Sequence, residues 1–128
     1  MKILLIEDDL DDIELLQDAL NMQGLRYKMD ILNDGIEVLN YLKTSPQKHD
    51  VIVMDFNLPK VTGRELIPEI KSEDAFKNIP LVILTTSSSP DDVEFSYKYG
   101  ANKYLIKPTT LEQMKHTADE IASLAIGA

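Results

Sequence analysis

Short apolar runs alternate along the chain with stretches whose apolar residues recur at helical spacing. Val51-Ile52-Val53-Met54 is the clearest run, and it stops at Asp55. A continuous apolar run of this length reads as a strand buried on both faces. Pro59 follows closely and cannot continue a sheet interior, so Asp55 falls at the carboxyl end of the strand with a loop after it. Lys2–Ile6, Tyr27–Leu32, Leu81–Leu84 and Lys103–Ile106 read as four further strands. Between them, Ile13, Leu16 and Leu20 mark a first helix, Ile36, Leu39 and Leu42 a second, and Leu66, Ile67 and Ile70 a third. Pro68 falls early in the third, which places its start at Arg64 to Leu66. A fourth helix runs from Pro90 to Gly100, and a fifth carries Leu111, Met114, Ala118, Ile121 and Leu124.

Punctuation residues support these boundaries. Gly24 suits the position after the first helix, and the second ends before Ser45-Pro46. Ser89 reads as an N-cap with Pro90 at the first helical position and Asp92 completing a pattern like a capping box. Thr109 or Thr110 caps the last helix. The order is five βα units. Short buried strands alternating with amphipathic helices imply a doubly wound parallel sheet with right-handed crossovers, covered on both faces.

A chain of 128 residues is enough for one domain with a substantial core. Its net charge of −9 removes the basic stripe that nucleic-acid binding needs and points to cations or basic partner surfaces. There is no cysteine, which excludes disulfide and thiolate chemistry and favours a cytoplasmic setting. Ile3–Ile6 is too short an apolar run for a signal peptide or membrane insertion.

Four strands end in polar residues: Glu7 and Asp8, Asp55, Thr85, and Lys107. In a parallel sheet all of these lie along one edge, where ligands of open α/β folds bind. Each is ordinary alone, as a helix-start acid, a turn residue or an exposed lysine; their coincidence at one edge is what carries weight. Clustered carboxylates repel, so one holds a proton unless a cation is present. Two or three carboxylate oxygens with room for water suit Mg²⁺. Lys107 adds a point charge and Thr85 a hydroxyl donor. The set suits a carboxylate that receives a phosphoryl group, with cations balancing the charge that develops.

With these motifs in place, the chain resembles the response-regulator receiver domain of two-component signalling. The resemblance rests on Glu7-Asp8, on Asp55-Phe56-Asn57-Leu58-Pro59 with Gly63, on Thr85, and on Tyr104 with Lys107-Pro108. It spans essentially the whole chain, read as one receiver domain over residues 1–128 without an output domain. The finer likeness is to single-domain regulators that partner phytochrome-like sensor kinases. The resemblance implies a flavodoxin-like fold with strand order 2-1-3-4-5, and Asp55 as phosphoacceptor for a sensor histidine kinase or a phosphotransfer protein. It implies Mg²⁺ held by Asp8, Asp55 and the main-chain carbonyl of Asn57, with Glu7 acting through metal-bound water. Lys107 would contact the phosphoryl group. Thr85 would move toward it while Tyr104 turns inward, rearranging the face formed by the fourth helix, fifth strand and fifth helix, through which a homodimer is also conceivable. The Lys107–Pro108 bond is often cis in the family. Such a protein is a signalling phosphoacceptor rather than a turnover enzyme.

Glu7 stands where many members carry Asp, and Asp9 reads as an N-cap. Three rivals share parts of the pattern. A flavodoxin needs a phosphate loop where this chain has Glu7-Asp8-Asp9. An aspartate-nucleophile phosphatase needs an acid where Asn57 stands. An inactive receiver would act only as a binding module.

Overall fold

The computed structural model describes residues 1–44 and 48–126. Its strands are β1 (Lys2–Ile6), β2 (Lys28–Leu32), β3 (Val51–Met54), β4 (Leu81–Thr85) and β5 (Lys103–Ile106). Its helices are α1 (Leu10–Met22), α2 (Gly35–Thr44), α3 (Gly63–Ser72), α4 (Pro90–Lys98) and α5 (Leu111–Ala125). All five strands are parallel, in the order β2-β1-β3-β4-β5. The parallel sheet covered on both faces is the one expected from the alternating pattern, and its strand order is the flavodoxin-like one that the resemblance implies. Ser45-Pro46, expected to stop α2, lies outside the described residues; α2 ends at Thr44.

The central strand shows why both faces are covered. Ile52 and Met54 pack with Val38 and Leu42 of α2 and with Leu66, Ile67 and Ile70 of α3. Val51 and Val53 point the other way, onto Ile13, Leu16 and Leu20 of α1 and Met114, Ala118 and Ile121 of α5. Successive strand residues face opposite sides, so an apolar run is required when both sides are core. Register then aligns the carboxyl ends. Ile6 lies opposite both Leu32 and Met54, and Thr85 lies opposite Ile106. Each strand therefore delivers its next polar residue to one edge.

Helix ends follow from local chemistry. Asp9 caps α1, its Oδ1 accepting the Asp11 and Asp12 amides at 2.9 and 3.1 Å. Past α1, Gly24 has φ of 69°, and the Gly24 and Leu25 amides close onto Asn21 and Leu20 carbonyls as in a Schellman ending. Thr110 caps α5 by accepting the Gln113 amide at 3.2 Å.

Two helix boundaries and one cap differ from expectation. α3 starts at Gly63, before Arg64, because the Thr62 carbonyl already accepts the Glu65 and Leu66 amides at 3.1 and 3.0 Å. Pro68 is absorbed inside the helix at the cost of the bond an amide there would make one turn back. α4 stops at Lys98, short of Gly100, which has φ of 116°. Ser89 holds the N-cap position of α4 as expected, but its side chain makes no capping hydrogen bond, and the Asp92 carboxylate of the expected capping pattern is bonded to Ser87 and Arg64. No described peptide bond is cis, so Lys107–Pro108 is trans.

The loop after β3 is seated on two glycines. A Cβ on Gly63 would lie 2.7 Å from Phe56 Cα and 2.8 Å from the Phe56 carbonyl oxygen, whose own partner is the Gly63 amide. A Cβ on Gly35 would collide with the Val61 carbonyl oxygen and Cβ. Gly63→Ala is therefore expected to lower the urea midpoint, with a loss of about 1–3 kcal/mol from overpacking against backbone that cannot move aside. An unchanged midpoint would show that the loop shifts freely.

Candidate functional site

Five elements meet at the carboxyl edge of the sheet. Glu7 leaves β1, Asp55 leaves β3, Thr85 ends β4, Lys107 leaves β5, and α1 begins above them. Glu7, Asp55 and Thr85 are buried, whereas Asp8 is exposed. The Lys107 ammonium is the centre of the cluster. It donates to Glu7 Oε1 at 2.7 Å, to Asp12 Oδ2 at 2.7 Å and to Asp55 Oδ2 at 2.8 Å. An ammonium has three protons, and each here has a carboxylate.

The second oxygens are also engaged. Asp55 Oδ1 accepts the Asn57 amide at 3.0 Å. Glu7 Oε2 accepts the amides of Asp8 and Asp9 at 3.0 and 3.2 Å. Burial pushes the Glu7 carboxyl up to about 7, against its bond to Lys107, and the charge of Asp55 adds to the rise. A carboxyl in that range holds a proton part of the time near neutrality, and burial rather than repulsion between the acids is the larger cause. Burial disfavours the Lys107 ammonium, but its bonds to Asp12, Asp55 and Glu7 prevail and hold it above the ordinary lysine range.

Asp12 was not among the residues singled out from sequence. It lies in the first turn of α1, where acids already have a sufficient reason to be, the positive end of the helix dipole. The available signal was its position on the turn immediately following the acidic pair, which places it over the same edge.

Thr85 and Tyr104 meet at the turn after β4. Thr85 Oγ1 accepts the Ser87 amide at 3.4 Å, and the Tyr104 hydroxyl donates to the Ser87 carbonyl at 2.8 Å. The Tyr104 amide donates to the Tyr97 hydroxyl at 2.9 Å. Burial raises the Tyr104 hydroxyl above its ordinary range, with the charges of Asp92 and Asp55 adding to this and the bond to Ser87 opposing it.

Glu7, Asp8 and Asp55 each present a carboxylate oxygen, all within 4.8 Å of one another. Such an all-oxygen set, with one exposed member, fits a hard divalent cation that keeps part of its water. Asn57 is exposed beside it.

Comparison with known proteins agrees with this geometry. The response regulator receiver domain model matches residues 3–119. The chain belongs to that family. The receiver is 38% identical to response regulator Rcp1 of Synechocystis sp., over 88% of this chain and 80% of Rcp1. A manganese-bound Rcp1 structure superimposes with a TM-score of 0.84 at 36% identity, covering 95% of this chain and 91% of the other. The phosphorylated cyanobacterial phytochrome response regulator RcpA gives 0.88 at 36% identity, covering 98% and 94%. The receiver domain of sensor histidine kinase PA1611 from Pseudomonas aeruginosa, with magnesium in its active-site cleft, gives 0.75 at 26% identity, covering 95% and 97%. Receivers of this family act in two-component signalling, taking their signal from histidine kinases or phosphotransfer proteins. The flavodoxin and phosphatase alternatives fall with this assignment.

Proposed function

We propose that Asp55 is the phosphoacceptor of this receiver. The observation that carries the reading is the Lys107 ammonium held 2.8 Å from Asp55 Oδ2 within a buried acidic group. A carboxylate oxygen of Asp55 attacks phosphorus in a phosphohistidine, the P–N bond breaks, and the imidazole leaves with the bonding pair. Lys107 then donates to the new phosphoryl oxygens, and the Thr85 hydroxyl, buried one strand away, supplies a further donor.

Mg²⁺ is the cofactor in this reading. Asp8, Asp55 and the main-chain carbonyl of Asn57 hold it, with Glu7 reaching it through bound water; the grouped oxygens of Glu7, Asp8 and Asp55 support the assignment. Bound there, the ion supplies positive charge to the phosphoryl oxygens. Asp8 is the exposed member and has the least to lose as a structural residue. At Mg²⁺ a hundredfold above its dissociation constant the chain should gain about 2.7 kcal/mol of stability. Asp8→Ala should lose most of that gain, read as a magnesium-dependent shift of the melting temperature. Equal shifts in both proteins would take Asp8 out of the ligand set.

Thr85 and Tyr104 are the switch pair, and the response leaves through the face built from α4, β5 and α5, where Tyr97 and Ile106 are exposed. A homodimer through that face belongs to the same reading. The similarity to RcpA, a cyanobacterial phytochrome response regulator, supports a phytochrome-like kinase as the donor. In this reading the protein acts in the cytoplasm as a signalling phosphoacceptor or relay intermediate, not as a turnover enzyme. No described helix is long and apolar enough to cross a membrane.

Intact mass after incubation with acetyl phosphate tests the reading. One added phosphoryl group that depends on Mg²⁺ supports it. No gain, together with no binding of beryllofluoride, would leave an inactive receiver that works only by binding.

A further inference from the structure

The turn that carries the switch is fastened from outside the acidic site. Ser87 Oγ donates to Asp92 Oδ2 at 2.6 Å. The other oxygen of that carboxylate accepts Arg64 Nη2 at 3.0 Å. Ser87 also gives its carbonyl to the Tyr104 hydroxyl and its amide to Thr85 Oγ1. One residue thus touches both members of the switch pair and the Asp92 carboxylate.

Arg64 is itself placed by aromatic rings. Its Cζ lies 4.2 Å from the centroid of Phe95 on α4 and 5.8 Å from that of Phe56, the residue after Asp55. Phe56 in turn accepts the Gly63 amide next to Arg64 at 2.8 Å. Asp92 is steadied by Ser96 Oγ, which donates to the Asp92 carbonyl at 2.7 Å. A continuous set of contacts therefore joins the acceptor loop, α3, the start of α4 and the turn after β4.

We propose that Asp92 is a positioning residue of the switch: its carboxylate clamps Ser87 to Arg64 and so holds the Tyr104 hydroxyl on the Ser87 carbonyl. This rests on the reading of Thr85 and Tyr104 as the switch pair. The Arg64–Asp92 pair is partly exposed, with side chains 44% and 22% accessible, so its charge attraction alone is modest. Its effect is geometric. A short hydroxyl-to-carboxylate bond is among the stronger hydrogen bonds, and it acts on the same residue that Tyr104 and Thr85 hold. Movement of the Thr85 hydroxyl would break its bond from the Ser87 amide, two residues on. A clamp on Ser87 therefore biases the balance between the two positions of the switch.

The test uses the full, unphosphorylated chain labelled with fluorotyrosine and observed by fluorine NMR. Tyr104→Phe assigns the Tyr104 signal among the five tyrosines. Asp92→Ala is expected to move that signal toward the value of an exposed ring and to speed amide exchange over residues 86–89 by about tenfold, as for the loss of one strong hydrogen bond. Ser87→Ala should reproduce the shift while leaving the Arg64–Asp92 pair in place, and Ser87→Thr should restore the original signal. Arg64→Met, which keeps the Ser87–Asp92 bond, should give a smaller shift. An unmoved Tyr104 signal in Ser87→Ala would overturn the clamp even if Asp92→Ala failed to fold. Acetyl phosphate separates this result from the acceptor reading. Asp92→Ala should still take up one phosphoryl group, and a wild type that neither takes one up nor binds beryllofluoride defeats the acceptor reading while the NMR result decides the clamp.

Discussion

Asp55→Asn is expected to gain no phosphoryl group from acetyl phosphate and Mg²⁺ under conditions where the wild type gains one. The substitution changes chemistry more than shape. An amide has one acceptor oxygen and two donor protons, and it is a far poorer nucleophile than a carboxylate. The site presents two donors to residue 55, the Lys107 ammonium and the Asn57 amide. Asparagine can satisfy only one of them. Lys107 keeps Glu7 and Asp12, so the fold should survive with a loss of about 1–3 kcal/mol. Circular dichroism on the same sample checks that it has. A variant that still gains a phosphoryl group with the same Mg²⁺ dependence would place the acceptor on Glu7 or Asp8, the neighbouring carboxylates.

Phe76→Ala should be the most destabilising of the substitutions considered. Phe76 lies between α3 and β4, outside any regular element, yet is 1% exposed and belongs to the core on the α2 and α3 side of the sheet. Its ring meets Tyr41 edge-on at 6.3 Å between centroids. Removing a buried phenyl ring costs its transfer free energy and leaves a cavity, together about 3–5 kcal/mol. Against a typical domain stability of about 5–15 kcal/mol this is a large share. Urea unfolding should show the loss as a lower midpoint with an unchanged slope. A loss under about 1 kcal/mol would mean that Tyr41 and the α3–β4 connection collapse into the space.

Phe76 also shows where sequence reading stops. The strands are legible because a two-sided core demands unbroken apolar runs, and Val51–Met54 has no polar residue to confuse the pattern. A lone aromatic in an irregular stretch has no period to reveal it, and its burial is decided by what α2 and α3 leave open. The edge residues Glu7, Asp55, Thr85 and Lys107 were legible because strand order and register bring strand ends together. Asp12 was not, because an acid in a first helical turn already has a local explanation. At Ser89 local grammar misled: the cap pattern was present, but Asp92 is held by Arg64, 28 residues earlier in the chain. Side chains whose partners are distant in sequence are the ones that local rules misplace.

The two glycines under the acceptor loop carry a consequence for how this sequence can drift. The loop from Asn57 to Thr62 is mostly exposed, and most of its side chains can change without touching the core. What cannot change is the pair of positions that receive its backbone, Gly35 and Gly63, both on helices that supply none of the acidic or switch residues. Among folded descendants of this chain, the loop's own letters should scatter while those two stay invariant. The shape around Asp55 is thus inherited through residues that never touch a phosphoryl group.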